Sequence, residues 1–140
     1  MIKVKRIDHV AIAVADRDAS TKELGELFGL AAGAREHVAG QKTDVAFLQA
    51  GGSDAASLEL CAPAGNPSLQ RFLDTRGPGL HHVCFEVDDL PAALASLKAA
   101  GVRLIDETPR EGARGHQVAF LHPAATGGVL FELCAAGHAS

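Results

Sequence analysis

Leu80-His-His-Val-Cys-Phe-Glu-Val87 restates Ile7-Asp-His-Val-Ala-Ile-Ala-Val14, with His82-Val83 standing 73 positions after His9-Val10. The same offset carries Val45-Ala-Phe-Leu48 onto Val118-Ala-Phe-Leu121 and Leu58-Glu-Leu-Cys61 onto Phe131-Glu-Leu-Cys134 (82 − 9, 118 − 45 and 132 − 59, each 73). Three segments held at one offset without a gap imply two copies of a single supersecondary unit. Short Val/Ala/Leu runs resemble one another by composition alone, but His and Glu kept in the shared register do not follow from composition.

Within each copy the local signals agree on order. The two quoted runs have strand composition, and Asp16 and Asp88-Asp89 stand ready as helix N-caps after them. In the second copy Leu90, Ala93, Leu94 and Leu97 fall at i, i+3, i+4 and i+7, with Gly101 as the stop. The first copy places Leu24, Leu27 and Phe28 on one helical face before Gly29. Extended runs follow at 34–38, 44–49 and 57–61, matched by 102–105, 117–121 and 129–134, so each copy reads β-α-β-β-β. Between the copies, Pro63 to Gly79 spaces Leu69, Phe72 and Leu73 as a short helix between turns. The expected fold is α+β, one domain over 1–140, in which two βαβββ modules (about 5–63 and 79–136, linker 64–78) form a curved eight-stranded mixed sheet.

Composition narrows the function classes. A chain of 140 residues, 47% hydrophobic and 21% charged, supports a soluble core and rules out a disordered chain. A net charge of −4, no Lys/Arg cluster and no Trp or Tyr leave little with which to hold phosphates or stack on bases, so no nucleic acid is expected. No run approaches a membrane span and the start has no signal-peptide block, which points to the cytoplasm and no membrane partner. Cys61, Cys84 and Cys134, an odd count inside apolar runs, read as reduced packing residues.

His9 and Glu59 are separated by 50 residues, as are His82 and Glu132. Symmetry sets these four apart from ordinary core histidines and edge glutamates. Two carboxylates buried at equivalent positions make sense when a cation compensates them. Two imidazoles and two carboxylates form a donor set for a divalent first-row ion, with positions left for water or substrate. His37, His81, His116, His122 and His138 have no counterpart in the other copy and read as surface, loop or supporting residues. Arg71, Arg76, Arg110 and Arg114 are scattered and read as solvated surface unless they meet a phosphate.

The paired modules and the His/Glu set resemble the vicinal oxygen chelate superfamily. The runs Gly79 to Leu90, Gly101 to Glu107, Phe120-Leu-His-Pro123 and Thr126 to Cys134, with the opening Ile7-Asp-His-Val10, resemble the methylmalonyl-CoA epimerase family within it. That resemblance implies metal-dependent epimerisation of (R)- and (S)-methylmalonyl-CoA by proton transfer at the carbon next to the thioester. It implies a divalent metal as cofactor, Co2+ first and Mn2+, Ni2+, Zn2+ or Mg2+ as alternatives, held by His9, Glu59, His82 and Glu132. It also implies Glu132 as the catalytic proton carrier, an acyl-CoA substrate and a homodimer. At the position where a studied family member carries a second glutamate this chain has Val45, and Ala124 follows His-Pro where Lys is frequent. The alternatives are a glyoxalase I-like glutathione-dependent lyase and a non-enzymatic binder resembling bleomycin-resistance proteins.

Overall fold

A computed structural model describes residues 2–136. His138 lies outside the described residues. The elements run β1 (Val4–Ala13), α1 (Arg17–Phe28), β2 (Ala31–Val38), β3 (Thr43–Gln49), β4 (Ser57–Pro63), α2 (Pro67–Arg76), β5 (Gly79–Val87), α3 (Leu90–Ala99), β6 (Arg110–Glu111), β7 (Gln117–Phe120) and β8 (Phe131–Ala135). His9–His81 form one compact unit, and the residues before and after it form the other, so the division passes through β1 and β5 themselves. The strand order is β2-β3-β4-β1 in the first unit and β1-β5-β8-β7-β6 in the second, and the shared β1 makes the hydrogen-bonded series eight strands long, as expected.

The repeat survives as register. In the parallel β1/β4 pair Ala11 lies opposite Glu59, and in the parallel β5/β8 pair Cys84 lies opposite Glu132. In the antiparallel β3/β4 pair Phe47 faces Glu59, and in β7/β8 Phe120 faces Glu132. Every one of these partners is displaced by the same 73 positions (84 − 11, 132 − 59, 120 − 47). Asp16 and Asp89 cap α1 and α3 alike, accepting from the amides of Ala19 and Ala92, each at 3.0 Å.

Two expectations about the elements need correction. Residues 102–105 do not form a strand: Leu104 makes an isolated bridge to Leu121, and the ladder resumes only at Arg110–Glu111. The physical cause is Asp106, whose carboxylate accepts the Phe120 amide at 2.9 Å, while the Phe120 carbonyl takes the amides of Ile105 and Asp106. A side chain thus replaces the backbone partner, and Pro109 supplies no amide to restart the ladder earlier. In α1, Leu27 and Phe28 are exposed at 69% and 64% rather than sharing a core face with Leu24. Gly29 ends the helix in the left-handed region at φ 66°, and Leu30 beyond the cap packs with Leu24 against Val14, Leu48, Leu60 and Ala62. By contrast α3 behaves as its spacing predicts: Leu90, Ala93 and Leu94 are buried with Val87, Ala119, Leu121, Leu133 and Ala135, and Leu97 packs at the margin.

No helix among the described residues is long and apolar enough to cross a membrane.

Candidate functional site

Each unit builds half of the expected donor set in the same way. On β1, His9 is placed by the strand, and its ring meets Phe47 edge-on at 5.9 Å between centroids. Its Nε2 stands 3.6 Å from Oε1 of Glu59, with both side chains less than a tenth exposed. In the other unit His82 meets Phe120 edge-on at 5.1 Å, and its Nε2 is 3.4 Å from Oε1 of Glu132, again with both side chains buried. The phenyl ring opposite each glutamate therefore fixes the plane of the imidazole that shares its unit.

Those separations exceed a normal N–H···O hydrogen bond of about 2.9–3.0 Å. They match a nitrogen and an oxygen bound to one cation, since bonds near 2.1 Å at a tetrahedral angle place the two donors about 3.4 Å apart. The residues present thus fit a divalent metal. Cys61 donates to Oε1 of Glu59 at 3.0 Å and holds that carboxylate in place, so the thiol is more than packing. The expected dismissal of Cys61 is corrected: two positions along a strand put its sulfur on the carboxylate's face.

Around Cys84 and Cys134 the second unit carries chemistry that the first lacks. Asp8, Cys84 and Cys134 are all buried, and one ligand atom from each lies within 4.8 Å of the others. Asp8 accepts from Arg6 at 3.1 Å and from Arg114 at 2.6 Å, and Arg6 also donates to Glu86 at 3.1 Å. Arg114, expected at the solvated surface, is therefore spent on a buried carboxylate. It sits in the left-handed region at φ 58°, a conformation costing roughly 1–2 kcal/mol for a residue with a Cβ. The ion pair with Asp8 offsets that strain. Burial pushes the Cys84 thiol far up. Hydrogen bonds with Cys84 and then His116 pull the Cys134 thiol down to about 7. Cys134 is not a packing residue alone. Nothing in the sequence joins Asp8 to Arg114, 106 residues apart.

On the face that β3 shares with Glu59 stand Thr43, Val45, Phe47 and Gln49, with Val45 opposite Cys61. Asp44 alternates to the other face and bonds His37 at 2.8 Å. β3 therefore offers no carboxylate beside Glu59.

Residues 8–120 match the model of the glyoxalase/bleomycin resistance protein/dioxygenase superfamily. The ethylmalonyl-CoA/methylmalonyl-CoA epimerase of Cereibacter sphaeroides is 36% identical, over 93% of this chain and 97% of that protein. The crystal structure of methylmalonyl-CoA epimerase from Mycobacterium tuberculosis is 38% identical with a TM-score of 0.89, covering 94% of this chain and 88% of that one. A methylmalonyl-CoA epimerase solved in complex with methylmalonyl-CoA and NH4+ is 31% identical with a TM-score of 0.92, covering 97% of both chains. The chain belongs to the glyoxalase/bleomycin resistance protein/dioxygenase superfamily and, within it, to the methylmalonyl-CoA epimerases.

Proposed function

We propose that this protein is a metal-dependent epimerase that interconverts (R)- and (S)-methylmalonyl-CoA. The observation that carries the reading is the duplicated half-site, His9 with Glu59 and His82 with Glu132, in a chain whose relatives include an epimerase solved with methylmalonyl-CoA. His9, Glu59, His82 and Glu132 would hold one divalent ion. When bound, that ion supplies positive charge that makes the carbon between the carboxylate and the thioester more acidic.

The remaining work falls to side chains. Phe47 and Phe120 fix the two imidazoles, and Cys61 steadies Glu59 for ligation. Glu132 takes the proton from the acidic carbon onto its carboxylate, leaving the electron pair delocalised toward the thioester oxygen. Return of a proton to the opposite face inverts the centre, so a second carrier is needed there. Val45 cannot serve, and no group on the Glu59 face of β3 replaces it.

The test incubates metal-loaded protein with (S)-methylmalonyl-CoA in deuterated water and follows label at the acidic carbon together with the appearance of the (R) epimer. A parallel assay offers a glutathione hemithioacetal. Deuterium entry with epimer formation supports the proposal. Turnover of the hemithioacetal instead would identify a lyase, and saturable binding with neither reaction would identify a binder; either outcome sinks the epimerase reading.

A further inference from the structure

We propose that Asp8, Cys84 and Cys134 form a second metal site, thiolate-based and suited to a borderline-soft divalent ion of the Zn2+ class. The site lies wholly within the unit made of residues 2–8 and 82–136, and stands independently of the epimerase reading.

Strand register supplies the geometry. In the β5/β8 pair Cys84 lies opposite Glu132, and Cys134 lies opposite Glu86. The two cysteines share a face but are offset by two positions. With strands about 4.8 Å apart and about 3.3 Å of rise per residue, their Cα atoms are roughly 8 Å apart. A disulfide needs Cα atoms within about 7 Å, so the pair cannot close directly without moving backbone. Two sulfurs sharing a tetrahedral ion through bonds of about 2.3 Å stand about 3.8 Å apart. Ligand atoms of Asp8, Cys84 and Cys134 already within 4.8 Å of one another need only a small contraction to reach that spacing.

Charge balance agrees. Asp8 is neutralised by Arg6 and Arg114, and Arg6 is shared with Glu86. A divalent ion that enters as two thiol protons leave changes the net charge by nothing, so the buried site gains no uncompensated charge. Each carboxylate oxygen has more than one lone pair, which lets Asp8 ligate while still accepting from Arg114. The thiolates select a softer ion than the His/Glu set does, so the two sites divide metals by chemistry. In the first unit the repeat equivalent of Cys84 is Ala11, and no such trio exists there among the described residues.

The experiment titrates metal-free, reduced, full-length protein with Co2+ and reads thiolate-to-cobalt charge-transfer absorption alongside total bound metal. Wild type is expected to show the band and to lose it when Zn2+ is added. The Cys84→Ser/Cys134→Ser protein should lose the band and one equivalent of metal. His9→Ala should lose the other equivalent and retain the band, which separates failure of this site from failure of the His/Glu site. If the serine pair does not fold, Cys84→Ala/Cys134→Ala takes its place, and in unmutated protein Zn2+ should slow alkylation of Cys84 and Cys134 in peptide maps. Absence of the band in wild type, its survival in the double variant, or no Zn2+ protection of these two thiols would overturn the site.

Discussion

Cys61 and Cys134 are equivalent by the repeat, yet Cys61 donates to Glu59 while the Cys134 sulfur lies within 4.8 Å of ligand atoms of Cys84 and Asp8. The difference traces to one position: β5 has Cys84 where β1 has Ala11, so only one unit brings a second thiol to the strand face. Asp8 and Arg114 deepen the contrast by adding an ion pair on a buried carboxylate to the unit that carries Cys84. Duplication preserved the His, Phe and Glu of each half-site, with their register, and left the neighbouring positions free to diverge.

The sharpest way to break the comparison is to exchange the glutamates for amides. Glu132→Gln keeps an oxygen donor and removes the base, so turnover at saturating metal should fall about 10²- to 10⁴-fold, the usual range of general acid–base contributions. Glu59→Gln should cost much less, because an amide oxygen can still ligate. Equal losses would mean that the two half-sites are chemically equivalent and that Glu132 is not the base.

A second contrast sets α3 against α1. Leu94 is 2% exposed in its unit's core and Leu27 is 69% exposed. Leu94→Ala should destabilise by about 2–5 kcal/mol and Leu27→Ala by no more than about 0.5 kcal/mol in chemical unfolding. A comparable loss at Leu27 would show that its exposed face is covered by something in solution.

The third concerns the ion pair that only one unit has. Arg114→Ala leaves Asp8 with Arg6, so the loss should be on the order of 2 kcal/mol, below the 3–5 kcal/mol of a buried pair stripped of its only partner. Asp8→Ala should cost more, since it takes the shared carboxylate from both Arg6 and Arg114 and leaves Arg114 strained at φ 58°. Alanine keeps the Cβ and so the left-handed strain, and unfolding curves in which Arg114→Ala matches wild type would mean that the pair with Asp8 adds nothing net to stability.

These contrasts also explain what the sequence could and could not carry. The constant offset was legible because strand pairing is periodic, and it extended to the cross-strand partners Phe47/Glu59 and Phe120/Glu132. Residues 102–105 were misleading because their apolar composition suits a strand, while the carboxylate of Asp106 diverts the ladder through a single hydrogen bond. Leu27 and Phe28 have helical spacing, and spacing does not reveal that Leu30, past the cap, packs beside Leu24 in their stead. The Asp8–Arg114 pair and the Cys84–Cys134 contact leave no mark in what the two copies share, since each depends on the divergence of one copy from the other. Searching the repeat for mismatches, such as Ala11 against Cys84, is the reading that finds them.

The smallest expected effect comes from the most closely matched feature, the two aspartate caps. Asp16 and Asp89 each accept an amide three residues on at 3.0 Å, so removing either carboxylate costs about 1 kcal/mol of helix stability. What should differ is how the loss appears. α1 buries no residue completely, so Asp16→Ala releases a helix whose ends open without disturbing a core, and the change should show as faster amide exchange in its first turn with a small shift in the unfolding midpoint. α3 buries Leu90, Ala93 and Leu94, starting at its first residue, so fraying at Asp89→Ala exposes core side chains and should register in global unfolding by the full amount. Hydrogen exchange and denaturant unfolding of both variants test this together. Identical shifts in global stability would mean that α1 is coupled to its unit as tightly as α3, and that exposure of one helical face is a poor guide to which copy holds the fold.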